Sequence, residues 1–233
     1  SSLQSVIQQQ RSADQLIIID DGMEQSALDC VARLCDHLPP LVRITGSRMG
    51  PAAARNLGLA QASGDIIAFI DDDDIWPRDK LAGQLAYLAA HAHCMAVGGR
   101  IFWFSRWDTE DGEPEAVPGL DSVVHVNLGA YLFRRELFDQ IGTFEESQLF
   151  AEDVDLILRM ADHDIPFVLL DKVTLYYRRH DQSMTAARSA REQQDFRRAL
   201  FRSLRRRPAG EGSGLRSLQG RLVPVSDGVD ISL

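Results

Sequence analysis

Three short apolar runs, at residues 16–19, 41–44 and 66–70, alternate with segments of helical periodicity, and this alternation restricts the chain more than any other feature. The first helical segment, 26–37, carries Leu28, Val31, Leu34 and Cys35 on one face. The second, 51–62, is opened by Gly50-Pro51 and closed by Ser63-Gly64, and the third runs from Pro77 to about His91. Residues 3–10 have the pattern of a helix end ahead of the first run. A strand–helix order repeated in this way predicts an α/β fold with a mostly parallel central sheet flanked by helices. Beyond Met95 the texture changes. Residues 97–107 read as a strand, 109–119 as a loop, 122–133 as mixed, 152–161 as a helix, and 167–170 and 174–178 as two strands.

A chain of 233 residues that is 45% hydrophobic and 25% charged suits one globular domain, alone or with an appendage. No apolar run approaches the roughly 20 residues of a membrane-spanning helix, and the first residues lack the basic and apolar regions of a signal peptide. The three cysteines, Cys30, Cys35 and Cys94, form no CxxC pair, and their odd number argues against a disulfide framework. A soluble protein of the reducing cytoplasm is expected. The net charge of −9 is unevenly spread, since residues 181–233 hold ten arginines against six acids. The body is therefore acidic and the tail basic, and an acidic body is a poor match for nucleic acid.

Four consecutive aspartates, Asp71, Asp72, Asp73 and Asp74, follow directly on the third apolar run. So many like charges at a strand end are unfavourable unless a cation sits among them, and Mg²⁺ or Mn²⁺ takes carboxylate oxygens. A solvated turn is the alternative. In open α/β sheets ligands bind outside the carboxyl ends of the strands. That rule brings Asp20-Asp21-Gly22, at the end of the first run, to the same sheet edge as the four aspartates, although an ordinary Asp-Gly turn has the same sequence. A third cluster, Glu152-Asp153-Val154-Asp155, precedes Leu156, Ile157, Leu158 and Met160. Acids in a first helical turn also suit the macrodipole, so capping competes with chemistry there.

The order of these motifs resembles the family 2 glycosyltransferases, enzymes of the GT-A fold. The likeness is carried by Ile17-Ile18-Ile19-Asp20-Asp21-Gly22, by Gly50-Pro51-Ala52-Ala53-Ala54-Arg55-Asn56-Leu57-Gly58, and by Gly64-Asp65 with the run through Asp74. It continues in Gly129-Ala130, Phe133-Arg134-Arg135, Phe138, Gly142-Thr143-Phe144-Glu145-Glu146, Glu152-Asp153-Val154-Asp155-Leu156 and Tyr177-Arg178-Arg179-His180, and spans roughly residues 3–185. The resemblance implies that Asp20 and Asp21 contact the base and ribose of a nucleoside-diphosphate sugar, with Arg55 near the nucleotide. It implies that Asp71 and Asp73 form a DxD pair, which binds a divalent metal and through it the sugar diphosphate. Asp153 would be the catalytic base, and His180 falls where some members bring a histidine toward the metal or diphosphate. The implied reaction is a single displacement with inversion, onto a hydroxyl of a saccharide, lipid or peptide acceptor.

Members of the family begin with an apolar first strand ending in a Pro-x-Tyr-Asn-like segment, whereas this sequence starts within the helix that follows it. An N-terminally incomplete GT-A-like domain over 1–185 is thus expected, with strand edges open to a neighbouring chain. Met23 and Ser47 stand where serine and asparagine are common. The Gln-x-x-Arg-Trp motif of processive synthases is absent, which favours transfer of one sugar. Two rivals remain: a catalytically silent binding module on the same fold, and a sugar-phosphate nucleotidyltransferase, whose glycine-rich basic loop is lacking. Residues 186–233 form the basic tail. Its segment 188–207 predicts a helix whose Phe196, Leu200, Phe201 and Leu204 pack against the domain, or else meet a membrane surface or an acidic partner. Residues 209–214 read as a flexible linker.

Overall fold

The computed structural model describes residues 1–22, 39–107, 114–117, 122–123, 125–179, 190–206 and 222–223. In chain order these form α1 (Ser2–Ile7), β1 (Leu16–Asp20), β2 (Leu41–Thr45), α2 (Pro51–Gln61), β3 (Ile66–Ala68), α3 (Lys80–Ala90), β4 (Ala96–Trp107) and β5 (Pro114–Ala116). A 3-10 turn at Leu128–Ala130 leads into β6 (Leu132–Arg134), α4 (Glu136–Ile141), α5 (Glu152–Asp162), β7 (Phe167–Arg178), α6 (Ala190–Arg206) and β8 (Leu222–Val223). The helix expected at 26–37, the linker at 209–214 and His180 lie outside the described residues.

The α/β character is as the alternation implied, but the sheet is more mixed. β1 and β2 pair in parallel as a unit of their own. The second sheet has the order β3-β6-β4-β7-β8, with β5 added to β4. Within it β4, β7 and β8 run parallel, whereas β6 is antiparallel to both neighbours. The cause is the connection: among the described residues no helix crosses over between β4 and β6, and the chain returns through β5 and the 3-10 turn, so β6 enters between β3 and β4 in the opposite sense. Among the described strands β1 has no partner on the side away from β2, and β3 none on the side away from β6.

Three boundaries differ from the sequence reading. Residues 114–116, expected in a loop, add to β4, and Pro114 is accommodated as the first residue of a short outer strand. Residues 167–178 form one strand rather than two, because the long β4 templates them throughout. Close approach of the two requires glycine: a Cβ on Gly99 would lie 2.4 Å from Thr174 Cγ2. Helix α3 begins at Lys80 and not at Pro77. Its start is set by Gln9, two residues beyond α1, which accepts a hydrogen bond from Leu81 N (3.0 Å) and donates to the Pro77 carbonyl (2.7 Å). Within α1, Ser5 Oγ accepts from Trp76 N (3.1 Å) and Ser2 Oγ donates to the Asp72 carbonyl. Helix α1 thereby clamps both ends of the aspartate run.

The core lies between the larger sheet and its helices, around Ile67, Val97, Leu132, Phe133, Leu156 and Leu169. A buried polar set pins the 3-10 turn to it. Trp76 Nε1 donates to Gly129 O (3.0 Å), Gln84 Nε2 and Thr174 Oγ1 both donate to Ala130 O (2.9 Å each), and Lys80 Nζ donates to Tyr131 O (3.3 Å). Every one of these carbonyls is satisfied away from water, so the turn has one conformation to adopt.

Candidate active site

The four aspartates are not equivalent. The run leaves β3 in a turn closed by Asp74 N on Asp71 O (3.3 Å), and Ile75 then exchanges both backbone hydrogen bonds with Tyr176 of β7 (3.0 and 2.9 Å). Asp71 and Asp72 face solvent, Asp73 is half-buried and Asp74 is fully buried. One Asp74 oxygen accepts from Arg178 N (3.1 Å), while Oδ2 is buried without a hydrogen-bond partner. Burial, reinforced by Asp71 and Asp73, pushes the Asp74 carboxyl up to about 9, so it is protonated at neutral pH. The reading of the run as a solvated turn therefore holds for its first half alone.

This protonation has a consequence for stability. The unfolded chain releases the Asp74 proton near pH 4 and the folded chain retains it to about 9, so folding binds a proton throughout that window. In metal-free buffer the free energy of unfolding is expected to fall as pH rises from 5 to 9, by up to about 1.4 kcal/mol per pH unit from this group. Asp74→Asn keeps the acceptor for Arg178 N and is expected to flatten the dependence and to be more stable at pH 7 by on the order of 2 kcal/mol. Denaturant titrations of both proteins across that range measure this, and an unchanged slope in the variant refutes it.

Asp71 reaches the rest of the site through Arg55. From α2, Arg55 Nη2 donates to Asp71 Oδ1 (2.9 Å) and Nη1 to Glu152 Oε1, linking β3 to the first turn of α5. Burial by itself eases the proton off Arg55, but the fields of Asp71, Glu152 and Asp153 outweigh it and hold the guanidinium charged. Glu152 stood out in the sequence as part of the third acidic cluster, but no role was assigned to it. Its signal there was position beside Asp153, and its partner stands 97 residues away.

Asp153 is the carboxylate that this cluster tunes. Removal from water, then the adjacent Glu152, raise its proton affinity to about 7, against the opposing effects of Val154 N, which donates to Oδ1 (2.7 Å), and of Arg55. The buried Tyr131 hydroxyl is raised by burial and by the nearby Asp153. Helix α5 is entered through Ala151 in the left-handed conformation (φ 60°), an uncommon state for a residue with a Cβ. Of the three acids of its first turn, Glu152 pairs with Arg55 and Asp155 with Arg159, so simple capping does not account for those two, while Asp153 accepts from Val154 N of the same turn.

At the end of β1 the two aspartates are structural anchors. Asp20 is buried and accepts from Arg43 Nη2 (2.9 Å) and Gly22 N (3.4 Å). Asp21 accepts from Met49 N and Gly50 N (2.9 Å each), which shapes the loop ahead of α2. Gly46 is packed so closely there that a Cβ would meet Asp21 Oδ1 at 2.6 Å. Across the site, Asn56 holds the loop after α4, accepting from Phe144 N and donating to Phe144 O (2.9 Å each). Among the described residues no three His, Cys, Asp or Glu are grouped to hold a metal unaided. Asp71, whose Oδ1 accepts from Arg55, and the half-buried Asp73 are carboxylates of one turn, the donor type of a cation that takes one or two protein carboxylates and completes its shell with water and phosphate oxygens. Of the expected residues, Arg55, Asp71 and Asp153 converge, whereas Asp20 and Asp21 belong to the β1 end of the neighbouring loop.

Mixed α/β layers with carboxylates at the strand ends place the molecule in the GT-A class, and solved structures bear this out. The chain is similar to the mannosyltransferase PcManGT of Pyrobaculum calidifontis in complex with GDP-Man and Mn²⁺ (TM-score 0.68, 19% identity, covering 94% of this chain and 63% of that one). It is likewise similar to S. aureus TarS 1–349 in complex with UDP-GlcNAc (TM-score 0.64, 20% identity, 88% and 61%). The profile of Glycosyl transferase family 2 matches residues 1–144, and the chain belongs to that family. Among its relatives are the amylovoran biosynthesis glycosyltransferase AmsE of Erwinia amylovora (25% identity, 76% of this chain and 68% of that protein) and an uncharacterized glycosyltransferase of Haemophilus influenzae (37%, 38% and 36%). A third is the UDP-Glc:alpha-D-GlcNAc-diphosphoundecaprenol beta-1,3-glucosyltransferase WfaP of Escherichia coli (26%, 80% and 74%). The chain thus spans between 36% and 74% of the lengths of these three relatives.

Proposed function

We propose that this chain transfers a single sugar, with inversion, from a nucleoside-diphosphate sugar to an acceptor hydroxyl, using a divalent metal. The observation that carries the reading is Asp153, a desolvated carboxylate with proton affinity near neutrality, grouped with Asp71 and Arg55 at the sheet's carboxyl edge. In the proposed step Asp153 takes the acceptor proton as the acceptor oxygen bonds to the anomeric carbon. The bond from that carbon to the diphosphate breaks, and its electron pair leaves with the diphosphate. Asp71 and Asp73 would hold Mg²⁺ or Mn²⁺, which supplies positive charge to the leaving diphosphate. Complexes of two similar proteins with UDP-GlcNAc and with GDP-Man and Mn²⁺ support the donor class and the metal. Asp20 and Asp21 are assigned to the base and ribose on the family resemblance.

Calorimetric titration with UDP and with GDP, each with and without Mn²⁺, tests this. Binding of one nucleotide is expected to depend on Mn²⁺ and to be lost in Asp73→Ala. A folded protein that binds neither nucleotide overturns the transferase reading in favour of a silent module.

A further inference from the structure

Helix α6 sits on the domain the wrong way round for an ordinary surface helix. The stripe it buries is polar and small: Asp195, Ala199 and Ser203. Ser203 Oγ donates to Asp162 Oδ1 (2.7 Å), Arg206 Nε to Asp162 Oδ2 (2.8 Å), and the Asp195 carboxylate accepts from Leu149 N (3.2 Å). The opposite face carries Phe201 and Leu204, which are 64% and 53% exposed, with Phe196 at 39% on its flank. The expectation that these side chains pack against the domain is therefore corrected. The reason is that α5 offers α6 the carboxylate of Asp162, which pairs with the polar stripe and turns the apolar one outward.

We propose that this outward face of α6 docks on an anionic lipid bilayer. Arg197 and Arg205 stand one helical turn to either side of Phe201, both exposed, and Arg198 lies beside them. An apolar centre with a cationic rim fits a surface that is apolar inside and anionic at its headgroups. Arg197 and Arg205 carry the planar fork that pairs with phosphate oxygens, whereas Arg191, Arg198, Arg202 and Arg206 are each in ion pairs with acids of the helix or the domain. The rest of the chain is acidic, so this face is where an anionic surface is accepted. The buried face of α6 meets the loop that delivers Glu152 and Asp153, where Asp195 accepts from Leu149 N (3.2 Å). The inference does not rest on the donor or the metal.

The test is flotation of the full chain with phosphatidylcholine vesicles, alone and containing phosphatidylglycerol. The wild-type chain is expected to float with the anionic vesicles about tenfold more than with the neutral ones, and to be released by salt. Phe201→Ser with Leu204→Ser, and separately Arg197→Glu with Arg205→Glu, are each expected to abolish flotation while circular dichroism stays unchanged, since all four side chains are exposed. Equal partition onto neutral vesicles, retained binding in either folded variant, or a dimer in light scattering that Phe201→Ser with Leu204→Ser dissociates would overturn the proposal.

Discussion

Asp153→Asn is expected to lower the rate of sugar transfer by roughly 10²–10⁴, with nucleotide binding preserved. The amide has the size of the carboxylate and keeps an oxygen to accept from Val154 N, so the start of α5 is unchanged. What it loses is the capacity to take a proton. A defect confined to kcat is the signature of an interaction used in the transition state. The same assignment dictates a pH profile. Asp153 is held near 7, chiefly by desolvation, and a carboxylate takes a proton only when ionised, so on the proposed role kcat/KM is expected to rise tenfold per unit below about pH 7 and level off above it. Steady-state release of the nucleoside diphosphate, measured with the donor that calorimetry selects, reports both. Activity retained in Asp153→Asn would move the base elsewhere in the cluster, with Glu152 and Asp71 the next to be replaced.

Arg159→Met is expected to destabilise the fold by about 3–5 kcal/mol, a shift of roughly 10 °C in Tm for a chain of this size. Arg159 donates from Nε to Asp155 Oδ2 (2.9 Å), from Nη1 to the carbonyls of Ile141 (2.6 Å) and Gly142 (2.8 Å), and from Nη2 to that of Thr143 (2.8 Å). Methionine can fill the stem of that volume but none of those bonds. It leaves the buried Asp155 charge facing Arg202 and Arg206 at 3.9 and 4.0 Å, too far for hydrogen bonds, and three carbonyls to find other donors. Arg159→Lys brings one point charge in place of a fork and is expected to recover part of the loss. Thermal denaturation of the three proteins checks the ranking, and a Met variant within about 1 kcal/mol of wild type would show that the fork contributes little. The loop that Arg159 holds is the one Asn56 fastens to α2, so the Met variant is also expected to weaken transfer.

Short-range chemistry was readable in advance wherever neighbours in sequence decide the outcome. Helix α2 runs from Pro51 to Gln61, against 51–62 expected, because Pro51 and Ser63-Gly64 act on residues beside them. The placement of β1, β2 and β3 followed from runs of Ile, Leu and Val, and the shared sheet edge of the carboxylates after β1 and β3 followed from strand direction. Pro77 misled for the same reason. It is a good first residue of a helix taken alone, and Gln9, 72 residues from Leu81, supplies the cap that starts α3 later.

Identical neighbours defeat such reasoning. Nothing local distinguishes Asp74 from Asp71, yet one is buried and protonated while the other faces solvent and pairs with Arg55. The difference is made by β7, whose Arg178 N draws Asp74 inward from 104 residues away. By itself, then, the sequence determined the α/β class, the family likeness, and the gathering of acids at strand ends, because periodicity, turn residues and strand polarity act over a few residues. The tertiary structure alone decided which aspartate is buried, that Arg55 joins Asp71 to Glu152, that β6 enters antiparallel, and that α6 turns Phe201 and Leu204 outward. Those outcomes depend on which partner across the fold satisfies a buried charge or hydrogen bond at least cost, and that partner is set by packing between segments that the chain separates.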